Sequence, residues 1–236
     1  MKRATLEALN RARREGRPIV RVVDLDTADE RLLEPGAETS AIGVAATEAA
    51  RADRSGPIEI DGAHFFLSVQ NPPLDMAIIG AVHIAQLLAP MAVLADYRVR
   101  IIDPRTAFAT QARFPGASLS HDWTDDALAK APLGPRSALI ALTHDPKLDD
   151  PALTAALRSN CFYIGALGSK KTHAGRLARL KAQGFSDEEL KRIHGPIGLD
   201  IGARTPAEIA ISILAEMTLR LRTDNGWERS VTRATA

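Results

Sequence analysis

The stretch 76–105, MAIIGAVHIAQLLAPMAVLADYRVRIIDPR, restricts the fold more than any other part of the chain. Residues 76–79 form the short apolar run that a strand buried on both faces requires. Gly80 ends it. Ile84, Leu87, Leu88 and Met91 then recur at helical spacing and give one apolar stripe. Val99, Ile101 and Ile102 read as a second strand, closed by Asp103 and Pro104. Two parallel strands joined by a helix make a βαβ unit, whose crossover is nearly always right-handed. In a doubly wound sheet the unit sets a helix N-terminus at the carboxyl end of its first strand. Free backbone N–H groups and the helix dipole favour a phosphate there. Pro90 removes one helix hydrogen bond and is expected to kink the crossover helix.

The dinucleotide fingerprint G-x-G-x-x-G/A is matched in part, by Gly80, Ala81, Val82, His83, Ile84 and Ala85. The first glycine and the last small residue are present. Val82 replaces the middle glycine, whose bare backbone lets pyrophosphate approach, so a classical nucleotide should bind weakly. Asp103, 23 positions after Gly80, stands close to where an acidic residue would take a ribose hydroxyl. The bland alternative is a βαβ unit kept for its core alone.

At 236 residues the chain has room for one large α/β domain, or for a domain with a small appendage. A net charge of +1 gives no broad attraction to nucleic acid or to a membrane surface. Arginines 11, 13, 14, 17 and 21 read as a solvated helix face. Cys161 is the only cysteine, which excludes an intramolecular disulfide and a thiolate metal cluster. Its apolar neighbours mark it as inert core. The first residues lack an apolar signal core and no stretch is long enough to span a bilayer, so the cytoplasm is the expected location.

Taken in order, residues 5–14 look helical, 19–25 form a strand with 31–33 as partner, and 42–52 form an alanine-rich helix. Residues 58–67 are a hairpin, because Asp61-Gly62 suits the positive φ angles of a type I′ turn. Asn71-Pro72-Pro73 reads as a stiff linker. The expected organisation is therefore a small N-terminal module (1–72), a main domain (73–225) and a flexible tail (226–236). A short helix is expected at 125–130 and a buried strand at 138–142. That strand ends in Thr143-His144-Asp145, where ligands of open α/β sheets bind. Histidine titrates near neutral pH, so this triplet could position a ligand or move a proton; a merely capped strand end is the alternative. A helix is expected at 150–159 and a strand at 161–165. Gly165 and Gly168 then suit a tight turn, with Ser169 as N-cap of a basic helix. Lys170 and Lys171 oppose the dipole of that first turn, which points to an anion held there. Ser186 to Glu189 and Thr205 to Glu208 are capping boxes. The glycine-rich loop between them, with Gly198 and Asp200, is suited to close over a ligand. The last helix, carrying Ile209, Ile213, Leu214 and Met217, should be largely buried.

Several of these motifs, in this order, resemble the xanthine dehydrogenase accessory protein family (XdhC/CoxI). They are Tyr163-Ile164-Gly165 with Leu167-Gly168-Ser169-Lys170-Lys171, the loop from His194 to Gly202, and Thr205-Pro206-Ala207-Glu208-Ile209-Ala210. Gly80-Ala81 with His83, Asp103-Pro104-Arg105 and Thr143-His144-Asp145 fit the same pattern. The resemblance runs from about residue 74 to 222. It implies an α/β protein, a Rossmann-like doubly wound parallel sheet behind a small N-terminal α+β module. It implies a maturation factor for molybdenum hydroxylases of the xanthine or carbon monoxide dehydrogenase type. Such proteins bind molybdenum cofactor (molybdopterin), assist its sulfuration with a cysteine desulfurase and deliver it to the apoenzyme; a homodimer is possible. The family's N-terminal glycine-rich segment carries a cysteine that residues 40–45 lack, and its second fingerprint glycine is Val82 here.

Two classes of function stand against each other: a cofactor-binding maturation chaperone, and an oxidoreductase using NAD(P) or FAD. Val82 and the lack of a clear acid/base pair favour the first. No residue is assigned a catalytic role, and no metal ligands are expected.

Overall fold

The computed structural model describes residues 2–223, so the expected tail at 226–236 lies outside the described residues. The chain divides into two compact units, residues 2–72 with 222–223, and residues 73–221.

The first unit is α+β. It comprises α1 (Arg3–Arg14), β1 (Ile19–Asp24), β2 (Glu30–Leu33), α2 (Ala41–Arg51), β3 (Gly56–Ile60) and β4 (Ala63–Gln70). The strands form one antiparallel sheet in the order β2-β1-β4-β3. The β3–β4 hairpin turns at Asp61 and Gly62 with φ of +52° and +77°, the positive pair that Asp-Gly supplies. One sheet face meets α2 through Val20, Val22, Leu67, Ile42, Ala46 and Ala50.

The second unit holds β5 (Leu74–Ile79), α3 (His83–Leu94), β6 (Tyr97–Ile102), β7 (Ser118–Ser120), α4 (Thr124–Lys130) and β8 (Ser137–Ala141). It continues with α5 (Pro146–Leu157), β9 (Tyr163–Ala166), α6 (Lys170–Ala182), α7 (Asp187–Leu190), β10 (Ile193–His194) and α8 (Pro206–Thr223), of which residues up to Leu221 belong to this unit. The sheet order is β10-β9-β8-β5-β6-β7 and every pairing is parallel. The chain starts at the centre, winds outward through β6 and β7, then returns to the other side of β5. That is the Rossmann-like doubly wound arrangement expected from the βαβ unit.

Alternation along the strands fills both faces. Met76, Ile78, Ile101 and Ile140 pack toward α3 and α8. Ala77, Ile79, Ile102 and Leu139 pack toward α4, α5 and α6. Both sets must leave water, which is why the strands read as unbroken apolar runs.

Several boundaries differ from the sequence reading. In α3 the fully buried positions are Ala85, Leu88, Ala89 and Ala92. Ile84, Leu87 and Met91 pack only at the margin of that core, because alanines let the helix axis approach the sheet. The helix runs on through Pro90. Helix α5 starts at Pro146, not 150: Asp145 is its N-cap and Pro146 its first residue, the arrangement proline favours. Strand β9 starts at Tyr163 rather than Cys161. The short strands β7 and β10 have no signal in the sequence, since each is made by a neighbour's edge rather than by its own pattern. Helix α8 buries Ala210, Ile213, Met217 and Leu221, but Ile211 and Leu219 remain about half exposed.

Candidate functional site

Strand β5 has β6 on one side and β8 on the other, so the turns after these strands meet at the point where the winding reverses. Ligands of open α/β sheets bind beside such a point. Gly80 makes the first turn with φ +103°. A Cβ placed there would lie 2.4 Å from Thr143 Cγ2; only glycine lets the β5 and β8 turns touch. Val82 is the N-cap of α3 in extended conformation and supplies no side-chain cap. The first N–H groups of this helix therefore lack the usual serine or aspartate partner, and His83 is exposed beside them.

Asp103, expected at a ribose hydroxyl, serves the protein's own turns instead. It is fully buried. Its Oδ2 accepts from Ala81 N at 2.8 Å and Arg105 Nη2 at 2.8 Å. Its Oδ1 accepts from Arg105 N at 3.0 Å and Arg105 Nε at 2.9 Å. A carboxylate has about four lone-pair positions, and four donors occupy them. Burial pushes the Asp103 carboxyl up, but the Arg105 side chain and the two backbone N–H groups outweigh it and hold it below its usual value. Arg105 is raised first by that hydrogen bond, with Asp145 adding to it across the edge. Its guanidinium lies 4.9 Å over the Phe108 ring.

The β8–α5 turn holds Thr143, His144 and Asp145. Asp145 caps α5 by accepting from Lys147 N at 2.9 Å. His144 is exposed and has φ +63°, uncommon for any residue with a side chain. Such backbone conformations gather at functional sites, held by their surroundings. What holds this one is Asp149, a buried residue of α5 that the sequence reading does not single out. It accepts from Thr143 Oγ1 at 2.6 Å and His144 N at 3.1 Å.

The β9–α6 turn corrects one expectation. Gly165 lies inside β9 rather than in the turn. A Cβ there would lie 2.4 Å from Ile197 Cδ1, so this glycine makes room for the loop after β10. Gly168 does form the turn, with φ +139°. Ser169 is the N-cap of α6 and accepts from Thr172 N at 3.2 Å. Lys170 and Lys171 are exposed, and neither forms an ion pair among the described residues.

The glycine-rich loop is tied to α8 through Glu216, another residue the sequence reading passes over. Glu216 Oε2 accepts from Tyr163 OH at 2.6 Å and Gly198 N at 2.8 Å. Its Oε1 pairs with His194 Nδ1 at 3.0 Å. Tyr163 and His194 stack with centroids 4.9 Å apart. Burial pushes the Glu216 carboxyl up, yet His194, Tyr163 and the Gly198 N–H together pull it down to about 2. Gly198 is thus a structural glycine, whose Cβ would meet Ser212 Oγ at 2.3 Å. Asp200 is exposed on the loop.

The edge so built offers donors and cations, namely Arg105, His83, His144, Lys170, Lys171 and the α3 N-terminus. That chemistry suits an anionic ligand. Among the described residues there is no cluster of three or more residues fit to hold a metal ion, and no helix is long and apolar enough to cross a membrane. Cys161 is buried, and burial pushes its thiol up, so it is not a ready nucleophile.

Comparison with known proteins adds the lineage. Uncharacterized protein YqeB of Escherichia coli K12 is 30% identical over 154 residues, 64% of this chain and 28% of that protein. The molybdenum cofactor insertion chaperone PaoD of the same organism is 42% identical over 91 residues, 39% of this chain and 29% of that one. A probable xanthine dehydrogenase subunit of Bacillus subtilis 168 is 32% identical over 131 residues, 55% of this chain and 38% of that one. The present chain thus spans only about a third of the length of these relatives. A crystal structure of a xanthine dehydrogenase from Bacillus halodurans has the same fold. Its TM-score is 0.69 at 24% identity, over 94% of this chain and 67% of that one. The model of the XdhC Rossmann domain matches residues 76–217. That range runs from β5 into α8 and takes in every turn of the edge described above, so the chain belongs to the XdhC family.

Proposed function

We propose that this chain binds molybdenum cofactor as cargo at the carboxyl edge of its parallel sheet and hands it to the apoenzyme of a molybdenum hydroxylase. The observation that carries this reading is family membership combined with an edge rich in N–H donors, histidines and cations. The phosphate of the cofactor is an anion. The α3 N-terminus, Arg105 and the Lys170–Lys171 pair are the groups that would hold it, with His83, Thr143 and His144 beside the pterin. Asp145, Gly168 and Ser169 shape the turns, while Gly198 and Asp200 belong to the loop that would border the ligand. Sulfuration of the cofactor fits the same role. The chain's one thiol is buried, so the sulfur donor would be a cysteine desulfurase acting as partner. Action as a homodimer in the cytoplasm completes the proposal. An oxidoreductase using NAD(P) or FAD is the weaker reading, because Asp103 has no free lone pair for a ribose and Val82 stands at the pyrophosphate turn.

The test mixes the full chain with molybdenum cofactor, separates bound from free by gel filtration, and reads the fluorescence of the oxidised pterin. Retention of the cofactor, and its transfer on adding a hydroxylase apoenzyme, is the expected result. Lys170→Ala/Lys171→Ala should weaken retention, less so as salt rises, since exposed charges are screened. No retention by the parent protein at low salt would refute the reading.

A further inference from the structure

Two charged side chains lie buried against the turns after β8 and β9, Asp149 at 2% and Arg176 at 1% exposure. Asp149, in the first turn of α5, binds the preceding turn three times. Its Oδ1 accepts from Thr143 Oγ1 at 2.6 Å and Thr143 N at 3.4 Å, and its Oδ2 from His144 N at 3.1 Å. Arg176, in α6, donates Nη2 to Leu167 O at 2.8 Å in the next turn of the sheet. The same Nη2 stands 3.7 Å from Asp149 Oδ2. Its Nε and Nη1 have no hydrogen-bond partner among the described residues. Burial pushes the Asp149 carboxyl up and the Arg176 guanidinium down. For packing alone this is an expensive pair, and apolar side chains of similar volume would cost less. What the pair does is link the turn after β8 to the turn after β9. Between those turns sits His144, left-handed at φ +63° and exposed. Its Nδ1 lies 3.7 Å from where a Gly168 Cβ would stand.

We propose that Asp149 and Arg176 are positioning residues that hold His144 in its left-handed conformation and so present its imidazole over Gly168 at the ligand-facing edge. The geometry stands by itself; the identity of the ligand rests on the cofactor reading above. Asp149→Asn keeps the shape but replaces one acceptor by a donor. Arg176→Met removes the charge and keeps most of the volume.

The experiment uses the full chain and follows the histidine imidazole signals by NMR alongside thermal unfolding. In both variants the His144 signals should move while those of His83 and His194 stay in place. Asp149→Asn should cost less melting temperature in a His144→Gly background than in the parent, because glycine adopts a positive φ without strain and no longer needs to be held. The contacts to Thr143 and Arg176 are lost in both backgrounds. Binding of molybdenum cofactor should weaken about tenfold in Asp149→Asn, the scale of one orienting hydrogen bond. Asp149→Asn should weaken cofactor binding less when added to His144→Ala than in the parent, since coupled residues are non-additive. Unmoved His144 signals, or an Asp149→Asn melting loss of the same size with and without His144→Gly, would overturn the proposal. If Asp149→Asn does not fold, Thr143→Val removes the hydroxyl bond alone and must move the His144 signals in the same direction. Cofactor binding untouched by His144→Ala, with the NMR result as expected, would overturn the cofactor reading of this edge and leave the positioning pair supported.

Discussion

Glu216→Gln is the substitution whose cost can be worked most fully from the structure. The Glu216 side chain is 10% exposed and accepts three hydrogen bonds, from Tyr163, His194 and Gly198. Those bonds hold its carboxyl at about 2 against an ordinary 4.5. A depressed folded-state value means the carboxylate stabilises the fold in full above the unfolded value. That contribution fades as pH falls through the window from 4.5 down to about 2. At 1.36 kcal/mol per pH unit the gap corresponds to about 3 kcal/mol at neutral pH. An independent route gives a similar size: removing a buried charged acceptor from its hydrogen-bond partners costs about 1.5–3 kcal/mol. Glutamine keeps the volume but turns one oxygen into a donor. It can keep its oxygen on Tyr163 and Gly198 only by turning its amide nitrogen to His194 Nδ1, which must then accept rather than donate, and the charge on all three bonds is lost. Urea unfolding of parent and variant, followed by far-UV circular dichroism, should show the variant weaker by about 3 kcal/mol at pH 7. With a typical urea slope of about 2–3 kcal/mol per molar, that lowers the midpoint by about 1–1.5 M. The gap should shrink between pH 4.5 and pH 2, and taking the difference cancels carboxylates common to both proteins. A gap below about 1 kcal/mol at pH 7, or one that stays constant into acid, would refute the argument.

Gly80→Ala should destabilise by about 3 kcal/mol in the same urea assay, since it combines positive-φ strain with overpacking against Thr143. A loss below about 1 kcal/mol would mean the turns separate easily. Titration calorimetry with NAD, NADP and FAD should show weak or no binding, and Val82→Gly should strengthen any that exists; tight NAD binding by the parent would refute the reading of Val82. A fragment starting at Pro73 should be soluble and unfold cooperatively on heating, as a domain boundary at residues 72–73 requires. Aggregation or a featureless melt would place the boundary elsewhere.

The parts of the fold that local chemistry decides were legible in the residues. The apolar runs 76–79 and 138–142 needed only their own composition, because a strand covered on both faces has no polar side to show. The Asp61-Gly62 hairpin and the Ser186 capping box depend on backbone angles and hydrogen bonds within a few residues. The same holds for Ser169 as an N-cap. Tertiary structure decided the rest. Strands β7 and β10 exist because β6 and β9 offer them an edge. Gly165 is a glycine because Ile197, 32 positions later, packs on it. Asp103 carried the spacing of a ribose ligand, yet Ala81 and Arg105 claim its oxygens. Asp149 with Arg176, and Tyr163 with Glu216, stand 27 and 53 positions apart in the chain. A buried charge is read in sequence as an ordinary polar residue until its partner's position is known. Its effect depends on distance and solvent exclusion, which no periodicity encodes.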